Sequence, residues 1–215
     1  MAATTRGGDS ARADSALVDS VVFDERGLVP CIVQDWSSGE VLMLAYMNRE
    51  ALERTLASGE VHFWSRSREA LWRKGDTSGN VLRLRGLRLD CDGDALLALV
   101  EPAGPTCHTG ERTCFHRGGL QPAPHEALPA LERVIAERAS SRAEGSYTVQ
   151  LLADPELARA KVSEEAEEVV RAAASESERR LAEEAADLLY HLAVLMAQRN
   201  VPLGAAYEEL NARRR

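Results

Sequence analysis

Gly118-Gly119-Leu120-Gln121-Pro122-Ala123-Pro124 divides the sequence into two stretches of different character. Glycine and proline at that density interrupt secondary structure. Upstream, apolar runs bounded by turn residues predict strands over Val21–Val33, Val41–Met47, Val61–Arg66, Val81–Cys91 and Ala95–Glu101. One helix is predicted there over Arg49–Ser58, with Asn48 as N-cap, Glu50 in the first turn and Gly59 just past the end. Downstream, almost everything has helical period: Glu126–Arg138, Pro155–Ser175, Glu178–Arg199 and Leu203–Arg213, with Asp154 and Ser177 as N-caps and Pro155 at a first helical position. The expected architecture is two domains: an α+β domain on a mainly antiparallel sheet over residues 16–119 and an all-α helical bundle over 126–215. A linker at 120–125 joins them, and residues 1–15 form a flexible tail.

Composition bounds the function. With 215 residues the chain has room for two small domains, and at 45% hydrophobic it can bury real cores. The formal charge of −8 argues against broad nucleic-acid or membrane-surface binding. No run approaches the ~20 apolar residues of a membrane span, and the polar, Ala-rich start is no signal peptide. A cytoplasmic location is expected, where thiols stay reduced. Of the 26 basic side chains all but Lys74 and Lys161 are arginine. Codon bias explains the arginine excess; the two lysines hint at sites that want a compact ammonium.

The cysteines come next. Cys31 lies in an apolar strand and reads as a small buried hydrophobe. Cys107 sits in Gly104-Pro105-Thr106-Cys107-His108-Thr109-Gly110, and Cys114 follows in a polar stretch that has no packing need for thiols. With Cys91 they make three thiolates, the number a catalytic zinc uses while keeping a fourth position for water. Cys91 itself is embedded in Asp90-Cys91-Asp92-Gly93-Asp94, whose crowded carboxylates repel unless a cation is present. Asp92-Gly93 is also a hairpin signal. Strand alternation puts Cys91 on the face of Leu87 and Leu89 and the carboxylates on the other, with Gly86 as a bulge. Two metals follow: soft thiolates suit zinc, hard carboxylates magnesium.

Two further segments suit phosphate. His62-Phe63-Trp64-Ser65-Arg66-Ser67-Arg68 alternates arginines with hydroxyls, and Trp72-Arg73-Lys74-Gly75-Asp76-Thr77-Ser78-Gly79 is a Gly-bounded turn with a lysine and two hydroxyls. Each is generic alone; together they suggest a phosphorylated nucleoside.

This series of motifs, from about Val21 to Arg117, resembles phosphoribosyl-AMP cyclohydrolase, a homodimeric family that opens the adenine ring of its substrate using zinc and magnesium. The resemblance implies zinc on Cys91, Cys107 and Cys114, and magnesium on Asp90, Asp92 and Asp94. It also implies substrate contacts from Trp64, Arg66, Arg68, Lys74, Thr77 and Ser78. Asp76 stands where the family more often has Glu. Hydrolysis at an electron-poor ring carbon needs hydroxide near neutral pH, and zinc lowers the pKa of bound water to roughly 7. His108 is a candidate proton shuttle, or a hydrogen-bonding neighbour of the ligands. A zinc site shared between two subunits is expected, with Cys91 from one chain and Cys107 and Cys114 from the other.

The helical half carries a separate signal. At about 100° per residue, Lys161, Glu164, Glu165 and Glu168 fall within one arc, and Glu167 points away. On the next helix Glu184, Asp187 and His191 share a face with Leu181, Leu188 and Leu195. Carboxylates on an apolar face are costly unless paired or metal-bound. Glu165 and Glu168 facing Glu184 and Asp187 would make a cage for magnesium holding a polyphosphate. This pattern resembles the MazG-like all-α nucleotide pyrophosphohydrolases. Ser146-Tyr147-Thr148, Lys161-Val162-Ser163-Glu164-Glu165 and Ala186-Asp187-Leu188-Leu189-Tyr190-His191 narrow it to phosphoribosyl-ATP pyrophosphohydrolase, with Ser163 in place of an expected glycine. The resemblance implies magnesium on Glu164, Glu165, Glu168, Glu184 and Asp187, phosphate neutralisation by Lys161, and Glu165 or Glu168 as base.

The second half would then make the substrate of the first, so the two resemblances support each other. Two other readings stay open. One is a house-cleaning nucleotide pyrophosphatase with a zinc module. The other is a zinc-stapled dimerisation domain on a helical bundle.

Overall fold

A turn at Asp24 cuts the first expected strand short. Asp24 Oδ1 accepts hydrogen bonds from the amides of Arg26 at 2.9 Å and Leu28 at 2.7 Å, and Gly27 takes a φ of +71°. A side chain that caps its own backbone in this way builds a turn, so β1 runs only over Val29–Asp35. The computed structural model describes residues 16–119, 123–142 and 144–214. The expected tail, residues 1–15, and residues 120–122 of the expected linker lie outside the described residues. The chain divides into two compact units, Met1–Gln121 and Pro122–Arg215.

In the first unit, β2 (Val41–Met47), α1 (Arg49–Ser58), β3 (His62–Ser65), β4 (Ala70–Arg73), β5 (Leu82–Leu89) and β6 (Leu96–Pro102) follow β1. They form one six-stranded sheet in the order β4-β3-β2-β1-β6-β5. Neighbours pair antiparallel except the central β1–β6 pair, which is parallel. The mainly antiparallel α+β expectation therefore holds. Helix α1 carries the caps read from sequence: Asn48 accepts from the Ala51 amide, and Gly59 at φ +71° ends it. It buries Ala51, Leu52 and Thr55. The sheet curls, because the Val61 amide donates to the Leu82 carbonyl at 3.0 Å and the Leu84 amide to the Gly59 carbonyl at 2.8 Å. Phe63, Leu42, Met47, Leu52 and Leu82 fill the core, each stabilising by roughly 1.5–3 kcal/mol on transfer grounds.

The register of β5 against β6 shifts between Leu84 and Gly86, the expected bulge. The strand then stops at Leu89, before Cys91. Residues 91–94 form a bend, so strand alternation does not extend to the thiol, and Cys91 Sγ lies 3.8 Å from Asp92 Oδ1. Cys91 and the carboxylates are therefore not on opposite faces of a strand. Gly93 is required here: at φ +84° a Cβ would lie 2.8 Å from the Ser20 carbonyl oxygen.

The second unit is helical: α2 (Ala127–Ser141), α3 (Tyr147–Ala153), α4 (Pro155–Ser175), α5 (Glu178–Gln198) and α6 (Leu203–Ala212). Asp154 accepts from the amides of Glu156 and Leu157, and Ser177 from that of Arg180, as the cap reading requires. At seven residues, α3 is too short to show a period, which is why the sequence reading passed over it. Ile135, Leu151 and Val194 are buried at the centre of this unit. Among the described residues no helix is long and apolar enough to cross a membrane.

Candidate active sites

In the sheet unit, a cavity of about 580 Å³ is lined by Arg68, Trp72, Lys74, Gly75, Asp76, Thr77, Ser78, Thr106, Cys107, His108 and Cys114, among others. It unites the Gly-bounded turn with the cysteine loop. Both are positioned by backbone. Gly75 has a φ of +96° and passes so close to Val81 that a Cβ would lie 2.5 Å from its amide nitrogen. Asn80 donates from Nδ2 to the Pro105 carbonyl at 3.0 Å, tying the turn to the loop. The Cys107 amide donates to the Glu111 carbonyl at 2.9 Å, and the Cys114 amide to the Leu42 carbonyl at 2.8 Å. Between the cysteines, Arg112 reaches Asp35 and Glu40 at 2.8 and 2.7 Å.

The two thiols of this loop face one another. The Thr109 hydroxyl donates to Cys107 Sγ at 3.1 Å and, with the Thr109 amide, holds that thiol below its ordinary pKa. Burial, with Cys107 as neighbour, pushes the Cys114 thiol up. His108 Nδ1 lies 3.9 Å from Cys107 Sγ. Cys91 does not join them: among the described residues no group of three ligand atoms includes it. Asp90, Asp92 and Asp94 do gather, with ligand atoms within 4.8 Å of one another, and all are exposed. Asp92 pushes Asp94 up, while the Ala95 amide holds Asp90 down.

Trp64, Arg66 and Arg68 line a second cavity of about 610 Å³, together with Arg26, Tyr46 and Trp72. Arg68 and Trp72 border both cavities. The Arg66 guanidinium lies 3.9 Å from the centre of the Tyr46 ring.

In the helical unit, Glu165, Glu184 and Asp187 bring ligand atoms within 4.8 Å of one another, with Glu165 and Glu184 buried. Glu168 lies 3.0 Å from Arg171 and Glu164 2.8 Å from Lys161, and the gathered ligand atoms include neither. Lys161 Nζ also lies 3.9 Å from Glu165. Burial pushes the Glu165 carboxyl up. Arg180 pairs with Glu184. Ser163 is exposed and donates to the Arg159 carbonyl, leaving α4 continuous without the expected glycine.

The family model described as phosphoribosyl-AMP cyclohydrolase matches residues 43–116, and that described as phosphoribosyl-ATP pyrophosphohydrolase matches residues 128–214. A histidine biosynthesis bifunctional protein HisIE of Bacillus subtilis is 49% identical, over 91% of this chain and 95% of its own. Those of a Synechocystis strain and of Gloeobacter violaceus are 47% and 50% identical, over 94% and 90% of this chain and 96% and 90% of theirs. The chain belongs to this bifunctional HisIE family. HisIE proteins are hydrolases of histidine biosynthesis, so this chain releases pyrophosphate from phosphoribosyl-ATP and opens the adenine ring of phosphoribosyl-AMP. The family is a metal-dependent kind of enzyme. Sequence reasoning passed over Arg26, Asn80 and Arg112. Asn80 and Arg112 act through Pro105, Asp35 and Glu40, partners distant in sequence, and Arg26 lines a cavity with residues of later strands, so no local motif marks them.

Proposed function

We propose that ring opening takes place in the 580 Å³ cavity of the sheet unit and pyrophosphate release at the buried carboxylates of the helical unit. The observation that carries the first half is the convergence on one cavity of Lys74, Thr77, Ser78, Cys107, His108 and Cys114. Phosphoribosyl-AMP carries a phosphate at each end. Two cavities sharing Arg68 and Trp72 suit such a ligand, with Lys74, Thr77 and Ser78 toward one end and Trp64 and Arg66 toward the other.

The thiol pair fits zinc, with Cys91 of a second copy as third ligand; Asp90, Asp92 and Asp94 fit magnesium. One observation supports the second copy. Ile32 and Leu44 pair directly across β1 and β2 and are both exposed, an apolar surface that a homodimer would cover. Zinc, when bound, makes a water acidic enough to attack at neutral pH. His108 then moves the proton to the ring nitrogen that leaves.

In the helical unit Glu165, Glu184 and Asp187 fit magnesium, which when bound draws charge from the triphosphate. Lys161 neutralises phosphate. Glu165, buried and flanked by Lys161 and His191, accepts the proton of the attacking water as the bond between the α and β phosphates breaks. Glu168, paired with Arg171, and Glu164, paired with Lys161, act at most as supporting charges. A cytoplasmic site of action accords with reduced thiols in such a centre. The test is incubation with phosphoribosyl-ATP while pyrophosphate and ring-opened product are followed separately, with and without a zinc chelator. Chelation should stop ring opening and leave pyrophosphate release; loss of both together would sink the two-site reading.

A further inference from the structure

His191 is buried, and both of its ring nitrogens are engaged. Nδ1 lies 2.9 Å from the Asp187 carbonyl oxygen and 3.6 Å from Glu165 Oε1; Nε2 lies 3.3 Å from the Tyr147 hydroxyl. A carbonyl only accepts, so Nδ1 carries the hydrogen. With Nδ1 as the donor, Nε2 is placed to accept from the Tyr147 hydroxyl 3.3 Å away. The ring is further held by edge contacts with Tyr147 and Tyr190, at centroid distances of 6.0 and 5.0 Å. Thr148 Oγ1 lies 2.9 Å from the Tyr190 hydroxyl, fixing that ring in turn.

This network does not belong to the carboxylate cluster, yet it ends on it. Glu165 Oε1 is approached from one side by Lys161 and from the other by His191 Nδ1. Tyr147 is half-exposed at the start of α3 and close enough to Lys161 to raise its pKa, after the larger effect of Glu164.

We propose that His191 and Tyr147 are positioning residues for pyrophosphate release. The His191 ring, 3.6 Å from Glu165 Oε1, bounds the space in which that carboxylate can turn, and Tyr147 fixes the tautomer and plane of His191. Neither touches the reacting phosphorus. The proposal rests on Glu165 acting at this site. A side chain that holds a functional carboxylate in place from behind is commonly worth ~10–100-fold in activity.

The experiment measures pyrophosphate release from phosphoribosyl-ATP by the full chain carrying His191→Ala, His191→Asn, Tyr147→Phe, the His191→Ala/Tyr147→Phe pair, and Glu184→Ala. His191→Ala should lower kcat by ~10–100-fold with KM changed by less than about threefold. His191→Asn keeps a donor to the Asp187 carbonyl but less of the ring's bulk, and should recover only part of that loss, staying more than about twofold below wild type. Tyr147→Phe should cost less, and nothing further in the His191→Ala background, because it acts through the ring. Two results would overturn the proposal: a kcat for both His191 variants within about twofold of wild type, or effects of His191→Ala and Tyr147→Phe that multiply. His191→Asn decides the matter should His191→Ala fail to fold. Glu184→Ala separates the two levels: its loss of activity beside normal His191 variants sinks this inference alone, while its retention of activity sinks the carboxylate site itself.

Discussion

The Arg112 guanidinium donates to Asp35 Oδ2 across 2.8 Å, joining the middle of the cysteine loop to the end of β1. The Asp35 side chain is only 4% exposed. Removing Arg112 would leave the buried Asp35 carboxylate without its cation, held by Ser37 and Ser38 alone, with Glu40 beside it.

Arg112→Ala should therefore destabilise the sheet unit by roughly 2 kcal/mol, less than the ~3–5 kcal/mol of a fully buried pair because the arginine is partly solvated. All three tryptophans, Trp36, Trp64 and Trp72, lie in this unit, so urea unfolding followed by tryptophan fluorescence reads it alone. A variant as stable as wild type would show that the pair does not hold the loop.

The same contact sets an acid limit. Burial acts to raise the Asp35 pKa and is outweighed by the Ser37 hydroxyl, the Ser37 and Ser38 amides and Arg112, so the carboxyl titrates below its ordinary range. A depressed folded pKa stabilises above the unfolded value of about 3.9 and loses that contribution as pH falls through the folded value. Arg112→Ala should shift acid unfolding of this unit to higher pH, read by tryptophan fluorescence.

The two activities should separate. Glu184→Ala should abolish pyrophosphate release while ring opening of supplied phosphoribosyl-AMP continues. Cys107→Ala should make phosphoribosyl-AMP accumulate from phosphoribosyl-ATP. Pyrophosphate release near wild type in Glu184→Ala would remove that residue from the site.

Shared zinc ligation predicts complementation. Cys91→Ala and Cys107→Ala chains should each be inactive in ring opening. Co-refolded, they should regain up to about a quarter of wild-type activity, because random mixing makes half the dimers mixed and each holds one complete site. No recovery from verified mixed dimers would place all three thiols in one chain.

Gly75→Ala should cost roughly 1–3 kcal/mol in strain and reduce ring opening with pyrophosphate release unchanged. Its positive φ and the 2.5 Å approach to Val81 leave no room for a methyl group. Full ring-opening activity would mean that the turn can rearrange without harm to the site.

Much of this was legible in the sequence because it is local. Asn48, Asp154 and Ser177 cap where their spacing says, and Gly86 bulges where the apolar parity flips. Lys74, Cys107 and Cys114 meet in one cavity, as their motifs suggested. The failures have physical reasons. Asp24 caps its own backbone and shortens β1. Ser37 and Ser38 close a turn on Asp35 at the end of β1, which the expected strand Val21–Val33 did not reach. Arg112 reaches back to Asp35 and Glu40, a link no spacing rule contains.

The central parallel pairing of β1 with β6 joins Cys31 to Leu96 and Val33 to Ala98. Such a pairing can close only after the chain between has been gathered in, which costs loop entropy before it returns any contact. The helical unit has no such debt: α4 and α5 are consecutive and pack along their lengths. The cysteine loop follows β6 and hangs on β2 through the Leu42 carbonyl. In a refolding experiment the thiols should therefore come into register last, so that metal capture reports the completion of the sheet rather than its start.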